Sequence, residues 1–457
     1  MITERNTVTR KLADWAMSLD HKKVPMSVRL CAQTCLIDTI GVAIAGSVTK
    51  VGQIALRFTE ENRSKGEHST PFGSNIRMSA PAAAFLNGTN AHALDFDDNC
   101  YAGFVHGSAV IVPAAFAMAQ KVNASGEDLI TAIVAGAECE YAIGAASNNI
   151  LYDQGWWTTG VLGSIGACIA SARLLQLTPL ATSYALGLAI SGTGGMKSCF
   201  GSDAKALMAG KTAEWGLVCA KLAQHGAHGP EDSIEANNGF INLFNKGQFD
   251  YDPLNQIGKN WFLQKPGVDI KRFPICLSSH AAIDAALQII NDNGLSCTDI
   301  ESIYCDVPPI IIKNLIYERP VSAQQAQFSM HYSMAVSLFF GHFSLEHLDL
   351  SLIQGKSLLP LMSCITMGTG PIWNNLQLLK SAPEGAHITI KLINGKRYEM
   401  FKASARGSSL FPLRAAEIDD KFFSCVATVV GKFQTEGLLN SLKKIDKKIS
   451  LRTLLNT

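Results

Sequence analysis

The chain concentrates its reactive side chains in one stretch, Asn87-Gly-Thr-Asn-Ala-His92-Ala-Leu-Asp95-Phe-Asp97-Asp98, followed eight residues later by His106-Gly-Ser108. Three carboxylates and an imidazole stand in a region otherwise made of Ala, Val, Leu and Gly. Charge in such a setting is costly unless it is paired, solvated or used. If Ala91 to Asp98 is helical, His92, Asp95 and Asn99 share one face at i, i+3 and i+7. Asp residues at a helix C-terminus oppose the macrodipole, so cations, a metal or the start of a new helix must hold them. Ser108 precedes Ala109-Val-Ile-Val and is expected to be an N-cap. His106 would then sit beside a helix N-terminus, where the field favours anions and neutral imidazole. A capped, solvated acidic turn would have the same composition.

Three further clusters offer partners. In Gly201-Ser-Asp-Ala-Lys205, a lysine among small residues suggests an ammonium in a confined site, suited to a carboxylate. The plainer reading is a surface lysine with its stem on the core. Lys271-Arg272-Phe-Pro-Ile-Cys276-Leu-Ser-Ser-His280 combines two adjacent cations with an imidazole, as an anion pocket at a helix start or as a structural domain hinge. Phe328-Ser-Met-His331-Tyr332 offers a phenol or an imidazole, or simply core.

These groups must be carried by a substantial scaffold. The chain has 457 residues, 47% hydrophobic and 17% charged, enough for a large core and one or two domains. A formal net charge of +1 gives no global field for nucleic acid or an anionic membrane. The N-terminal segment is charged, without the apolar run of a signal peptide. The longest charge-free run, Leu174 to Met196, contains Pro179 and several polar residues, so it reads as a buried helix and a loop. The twelve cysteines show no CxxC spacing, which points to reduced thiols in a cytoplasmic protein and away from a zinc ribbon or an iron–sulfur cluster. Cys31 and Cys35 are placed to share a helix face.

From about residue 7 to 260, small and aliphatic residues recur at helical spacing, as in Arg29–Ala43, Leu129–Glu138 and Gly163–Leu175. A polar loop is expected between Thr59 and Ser79. Near Lys265-Pro-Gly the character changes. A helix is expected over Ser279–Ile290 and a strand over Ile300–Val307. A hairpin over Ala386–Phe401 turns at Asn394-Gly395. Helical patterns return at Glu417–Phe433 and Gly437–Ile445. The expected fold is mainly α: a large helical domain built from both chain ends (1–267 and 404–457) with a smaller α+β domain inserted at 268–403.

The clusters in this order resemble one family. Asn87-Gly-Thr with His92-x-x-Asp95-Phe-Asp97-Asp98, a His-bearing helix start, a mid-chain Lys and Lys271-Arg-Phe-Pro-x-Cys-x-x-x-His280 together are similar to the MmgE/PrpD family, over about residues 7–440. Its members include 2-methylcitrate dehydratases, cis-aconitate decarboxylases and an iminodisuccinate epimerase. The resemblance implies a homodimer in which the inserted domain is a lid and the active site lies between the domains. Carried over by motif, it implies catalytic roles for Asp95 and His106 and carboxylate-holding roles for Lys205 and Lys271. It also implies a place near substrate for Tyr332, with Arg272 and His280 helping the clamp. Two positions depart from the decarboxylases. Asn99 stands where they carry Thr, and Trp157, in Gly155-Trp-Trp-Thr-Thr-Gly160, stands where they carry His. An indole keeps one N–H donor and loses acid–base capacity, so the substrate cannot simply be transferred.

The chemistry this implies is proton transfer next to a carboxylate in a small polycarboxylate, by a lyase without a cofactor or metal. Such a proton is weakly acidic, and its removal needs a base and fixed cations. An epimerase of an amino or imino dicarboxylate is the main alternative. A non-catalytic polycarboxylate binder is another. A Mg²⁺-dependent all-α enzyme using Asp95, Asp97 and Asp98 would need a second motif, and Asn291-Asp-Asn-Gly-Leu-Ser296 lacks its spacing.

Overall fold

The computed structural model describes residues 7–61, 68–451 and 454. The N-terminal helices are α1 (Val8–Ser18), α2 (Met26–Gly46), α3 (Lys50–Glu61), α4 (Ala80–His92), α5 (Ser108–Val122) and α6 (Gly126–Ala146). They continue as α7 (Ile150–Asp153), α8 (Thr158–Leu174), α9 (Pro179–Ser191), α10 (Asp203–Gln224) and the short α11 (Phe240–Phe244) and α12 (Asp252–Asn255). Most carry little one-sided patterning because they are buried nearly all round, which suits a layered bundle. Helices α2 and α6 are long and apolar enough to cross a membrane, but most of each is buried inside the protein. Part of the loop expected between Thr59 and Ser79, residues 62–67, lies outside the described residues, and its far end pairs Ser69 with Met78.

Small residues set a close helix contact. A Cβ on Gly88 of α4 would lie 3.0 Å from the Cα of Gly210 in α10, and one on Gly210 would collide with the Phe85 carbonyl and the Thr89 hydroxyl. The two backbones therefore touch, and α4 and α10 are the elements that lead to Asp95 and carry Lys205.

The inserted region opens with α13 (His280–Asn293) and builds a four-stranded sheet of β1 (Ile300–Asp306), β2 (Ile365–Gly368), β3 (Ala386–Leu392) and β4 (Arg397–Lys402) in the order β2-β1-β3-β4. The β1–β2 pair is parallel and the other two are antiparallel. Between β1 and β2 run α14 (Pro309–Asn314), α15 (Ala323–Ala326), α16 (Met330–Phe340), α17 (Leu350–Ile353) and α18 (Leu359–Ser363), and α19 (Leu376–Ser381) precedes β3. Helices α13 and α16 pack on the sheet. The hairpin turn is a three-residue loop, Ile393-Asn394-Gly395, with Gly395 at φ 83°. Its N–H donates to Leu392 O at 2.9 Å, and Leu392 N–H donates to Lys396 O at 2.9 Å. Only the glycine of Asn394-Gly395 is left-handed, so this is a turn with a glycine bulge and not the two-residue form.

The chain then returns to the helical body through α20 (Ala415–Val430) and α21 (Lys432–Leu442), broken at Gly431, φ 90°, inside the helix expected over Glu417–Phe433. Helix α20 packs on α2, and Gly126 N–H donates to Lys448 O at 2.8 Å, so both chain ends build one body. Two apolar cores result. One gathers residues from Val8 to Ile270 together with Phe422 to Leu454, the other residues from Phe273 to Ala405. Leu94, two residues past the end of α4 in the acidic segment, packs against both.

Candidate active site

Helix α4 begins on a Ser79 cap, whose hydroxyl accepts from Ala82 N–H at 3.3 Å, and ends at His92. The helix does not run on through Asp98, so the condition under which His92, Asp95 and Asn99 would share a face is not met. Ala93 N–H closes on Asn90 O at 3.3 Å, and Asp95 takes φ +48°. Asp tolerates this left-handed geometry better than most residues. The turn aims the Asp95 carboxylate at two lysines. Lys205 Nζ donates to Oδ1, and Lys271 Nζ donates to Oδ2 at 2.9 Å and to the Asp95 carbonyl at 2.6 Å. Lys205 lies in the first turn of α10, where a cation opposes the helix dipole, so Asp95 supplies what the helix does not. Lys271 is brought in by a backbone bridge in which Asn99 N–H donates to Asp269 O at 3.0 Å and Asp269 N–H to Asn99 O at 2.8 Å. From α20, Lys421 Nζ donates to Phe96 O at 2.8 Å and pairs with Asp38 at 2.7 Å, pinning the acidic segment from the C-terminal side. All of these charges are buried. Burial pushes Asp95 up, but Lys205 and Lys271 hold it well below the usual carboxylate range.

Two imidazoles border this ion triad. His92 Nδ1 lies 2.7 Å from Asp97 Oδ2, and its Nε2 has no hydrogen-bond partner and sits 3.9 Å from Asp95 Oδ1. Burial raises Asp97, while His92 and His106 beside it bring it below its ordinary value. Asp97 is therefore a carboxylate that takes the His92 Nδ1 proton. His106 Nδ1 lies 2.7 Å from Asp98 O. A carbonyl can only accept, so Nδ1 carries the hydrogen and Nε2 the lone pair. Burial, helped by Lys271, His92 and Lys205 against Asp97, pushes His106 down to about 3, which makes it a neutral imidazole. Its backbone N–H donates to Thr159 Oγ1 at 2.9 Å. Ser108 is the first residue of α5 and Gly107 the cap, contrary to the expected Ser108 cap, but His106 does stand at the helix N-terminus. Asp98 faces inward with Ser108 and Cys35 beside it, and burial raises it to about 7.

Asp95, His106, Lys205 and Lys271 line one cavity of about 40 Å³, together with Asn99 and Trp157. Its remaining wall is largely aromatic, from Phe104, Tyr152, Phe200 and Phe328, and includes Glu384 of the lid. Glu384 accepts from Tyr101 OH at 2.6 Å and from Ser278 Oγ. Asn314 Nδ2 donates to Ser278 Oγ at 3.1 Å, and Tyr152 OH donates to Asn314 Oδ1 at 2.9 Å. This chain ties the helical body to the lid at the cavity. A larger groove of about 850 Å³ shares Leu277 and Glu384 with the cavity. His92, Asp97 and His106 have ligand atoms within 4.8 Å of one another, as a metal site would require. Asp97 is already hydrogen-bonded to His92, and the adjacent ammonium groups oppose a divalent cation.

Residues 10–252 match the MmgE/PrpD N-terminal domain and residues 273–444 the C-terminal domain. The chain belongs to the MmgE/PrpD family. It is 25% identical to a cis-aconitate decarboxylase-like protein of Aspergillus oryzae, over 99% of this chain and 97% of that protein. It is 26% identical to the human cis-aconitate decarboxylase, over 90% of this chain and 86% of that one. The mouse cis-aconitate decarboxylase is 23% identical, over 96% of this chain and 91% of that one.

Not every residue expected at the site of this MmgE/PrpD protein reaches the cavity. Arg272 turns away to Asp284 at 2.6 Å and lies over the Phe273 ring. His280 is buried against Phe273, with Nε2 3.3 Å from Ile275 O. Tyr332 lies in the lid core, where its hydroxyl donates to His347 O at 2.5 Å. Each has a local partner away from the cavity, although His280 Nδ1 is buried without one. Tyr152 and Glu384, in contrast, line the cavity and were not singled out from the sequence. Tyr152 falls in one turn of helix and Glu384 in a Pro-Glu-Gly turn, and neither carries a motif. Cys276 and Phe328 also line it, and both stood in segments flagged for other members.

Proposed function

We propose that this chain is a lyase acting on a small polycarboxylate, in the manner of its decarboxylase and dehydratase relatives, as a homodimer working with its own side chains. The observation that carries the reading is one cavity holding a neutral imidazole with a defined lone-pair nitrogen, His106 Nε2, and two ammonium groups clustered on Asp95. The lysines exchange Asp95 for substrate carboxylates, which places fixed positive charge where negative charge develops on loss of an α proton. His106 accepts that proton in the elimination direction. In decarboxylation, the entering carboxylates raise His106 toward protonation. It then delivers a proton to the alkene carbon while the bond to the departing carboxylate supplies the electron pair and CO₂ leaves. Asp95, freed from the lysines, orients the substrate or shares the proton with His92.

A second reading has its own support. Glu384 enters the same cavity from the lid, and burial raises it above its ordinary value, offset in part by Ser278 and Tyr101. Two proton carriers from two bodies suit an epimerase of an amino or imino dicarboxylate. A panel of cis-aconitate, 2-methylcitrate, citrate and iminodisuccinate, followed by NMR in D₂O, separates these outcomes. Alkene formation or CO₂ release supports the lyase, and α-deuterium exchange without elimination supports the epimerase. Inert spectra across polycarboxylates would sink both.

A further inference from the structure

We infer that Asp95 has a second resting place on His92: substrate carboxylates take its two lysines and send it there, and one proton enters the site as they bind. The inference rests on the carboxylate exchange proposed above and deepens it. Asp95 is held by Lys205 and by Lys271 at 2.9 Å, and all three side chains are buried. Once the lysines turn to substrate, Asp95 is a buried carboxylate without a partner, which is strongly disfavoured. It needs a proton or a cation close by.

His92 is placed to supply it. Its Nε2 lies 3.9 Å from Asp95 Oδ1 and has no hydrogen-bond partner among the described residues, and each residue is only 3% exposed. Its Nδ1–H is spent on Asp97 Oδ2 at 2.7 Å, which leaves the lone pair on Nε2. The imidazole thus stands between two carboxylates, one of them covered by ammonium groups. Burial lowers His92, Asp97 raises it and Lys205 lowers it again, so the ring is neutral at neutral pH. A substrate carboxylate on Lys205 cancels that last influence and uncovers Asp95. The protonated ring then gives one N–H to Asp97 and one to Asp95. A shift of about 1 Å brings the second bond to ordinary length.

His106, at the start of α5, is a poorer home for this proton. Its Nδ1–H goes to the neutral carbonyl of Asp98 at 2.7 Å, with Asp97 Oδ2 farther off at 3.4 Å. Lys205 of α10 and Lys271 ahead of α13 are the cations facing the pair. Tyr152 of α7, Cys276, His280 and the lid's Glu384 feel the Asp95 charge without a hydrogen bond to it. His92 is therefore a positioning residue, which holds Asp95 aside so that both lysines stay on substrate.

Titration calorimetry of the full-length protein in buffers of different ionisation enthalpy counts the proton. The probe is tricarballylate, which has neither alkene nor hydroxyl to react, at pH 7.5, where its carboxyl groups are ionised. The expected uptake is about one proton per site, with affinity falling about tenfold from pH 7 to 8. In His92→Gln an amide N–H replaces the proton, so uptake drops by about one and the pH dependence flattens. Asp95→Asn should lose the uptake as well, and His106→Asn should keep it. In ¹⁵N spectra of the histidine-labelled wild type, one ring that is absent from His92→Gln should turn from neutral to protonated on binding. Binding without proton uptake, uptake that persists in His92→Gln, or uptake lost in His106→Asn overturns the inference and leaves the proposed function standing. Failure of both tricarballylate and succinate to bind removes the function and the inference together. If the variants do not fold, the wild-type ¹⁵N spectrum decides, and rings that all stay neutral in the complex overturn the inference.

Discussion

At the scale of single residues, the chemistry turns on His106 being neutral with its lone pair on Nε2. Replacing it with Asn keeps a donor for Asp98 O but removes the base. Turnover should fall about 10²- to 10⁴-fold, with an unchanged circular dichroism spectrum and thermal midpoint close to that of the wild type. Because burial holds His106 at about 3, the acid limb of kcat/KM should lie well below the 6.5 of a free imidazole. A limb centred near 6.5 would mean that His106 is not the titrating base. Lys271→Met should cost about 3 kcal/mol of stability, read by denaturant unfolding, because it strips a buried partner from Asp95. Asp95 and His106 were legible in the sequence because charge is conspicuous in an apolar stretch, whereas Lys205 and Lys271, each open to a plainer structural reading, were marked by the family resemblance. The left-handed turn at Asp95 was not legible, since an Asp in that context reads equally as helix. Tyr332 and Arg272 misled because residue type does not reveal that a nearer partner satisfies the group.

The site is assembled by the approach of elements more than by any one loop. Helices α4 and α10 meet at Gly88 and Gly210, and that contact sets the reach from Asp95 to Lys205. Gly210→Val should destabilise the protein by about 1–3 kcal/mol through overpacking and lower turnover by loosening the ion triad. Thermal melts and steady-state rates on the same preparation check both. Helical spacing and the alternating strands exposed these elements in the sequence. What the pattern did not carry was their ends: α4 ends at His92, α5 starts one residue earlier than its expected cap implied, and Gly431 splits the C-terminal helix. Each end is set by local turn hydrogen bonds or by the backbone of one residue, Asp95 or a glycine, which periodicity does not record.

At the scale of the whole molecule, a set of buried acids makes stability depend on pH. Burial raises Glu140 to about 8 and Glu138, Asp98 and Asp269 to about 7. These folded values exceed the unfolded ones, so unfolding releases protons, and the stability they favour at low pH is lost as pH rises from about 4 to 8. His106 works the other way: its folded value lies below its unfolded one, so its contribution is lost as pH falls from 6.5 toward about 3. Glu140, whose carboxylate oxygens lack hydrogen-bond partners, is the clearest case. Glu140→Gln should raise stability at pH 9 by about 1 kcal/mol or more and change it little at pH 5, as denaturant melts at the two values would show. Equal effects at both would contradict the assignment.

The most direct test of the central claim is solvent exchange into a turned-over polycarboxylate, followed by NMR in D₂O for the wild type and for His106→Asn. The account predicts deuterium at the carbon next to a carboxylate with the wild type and near-complete loss of that label with the variant. Undiminished exchange in His106→Asn would contradict it.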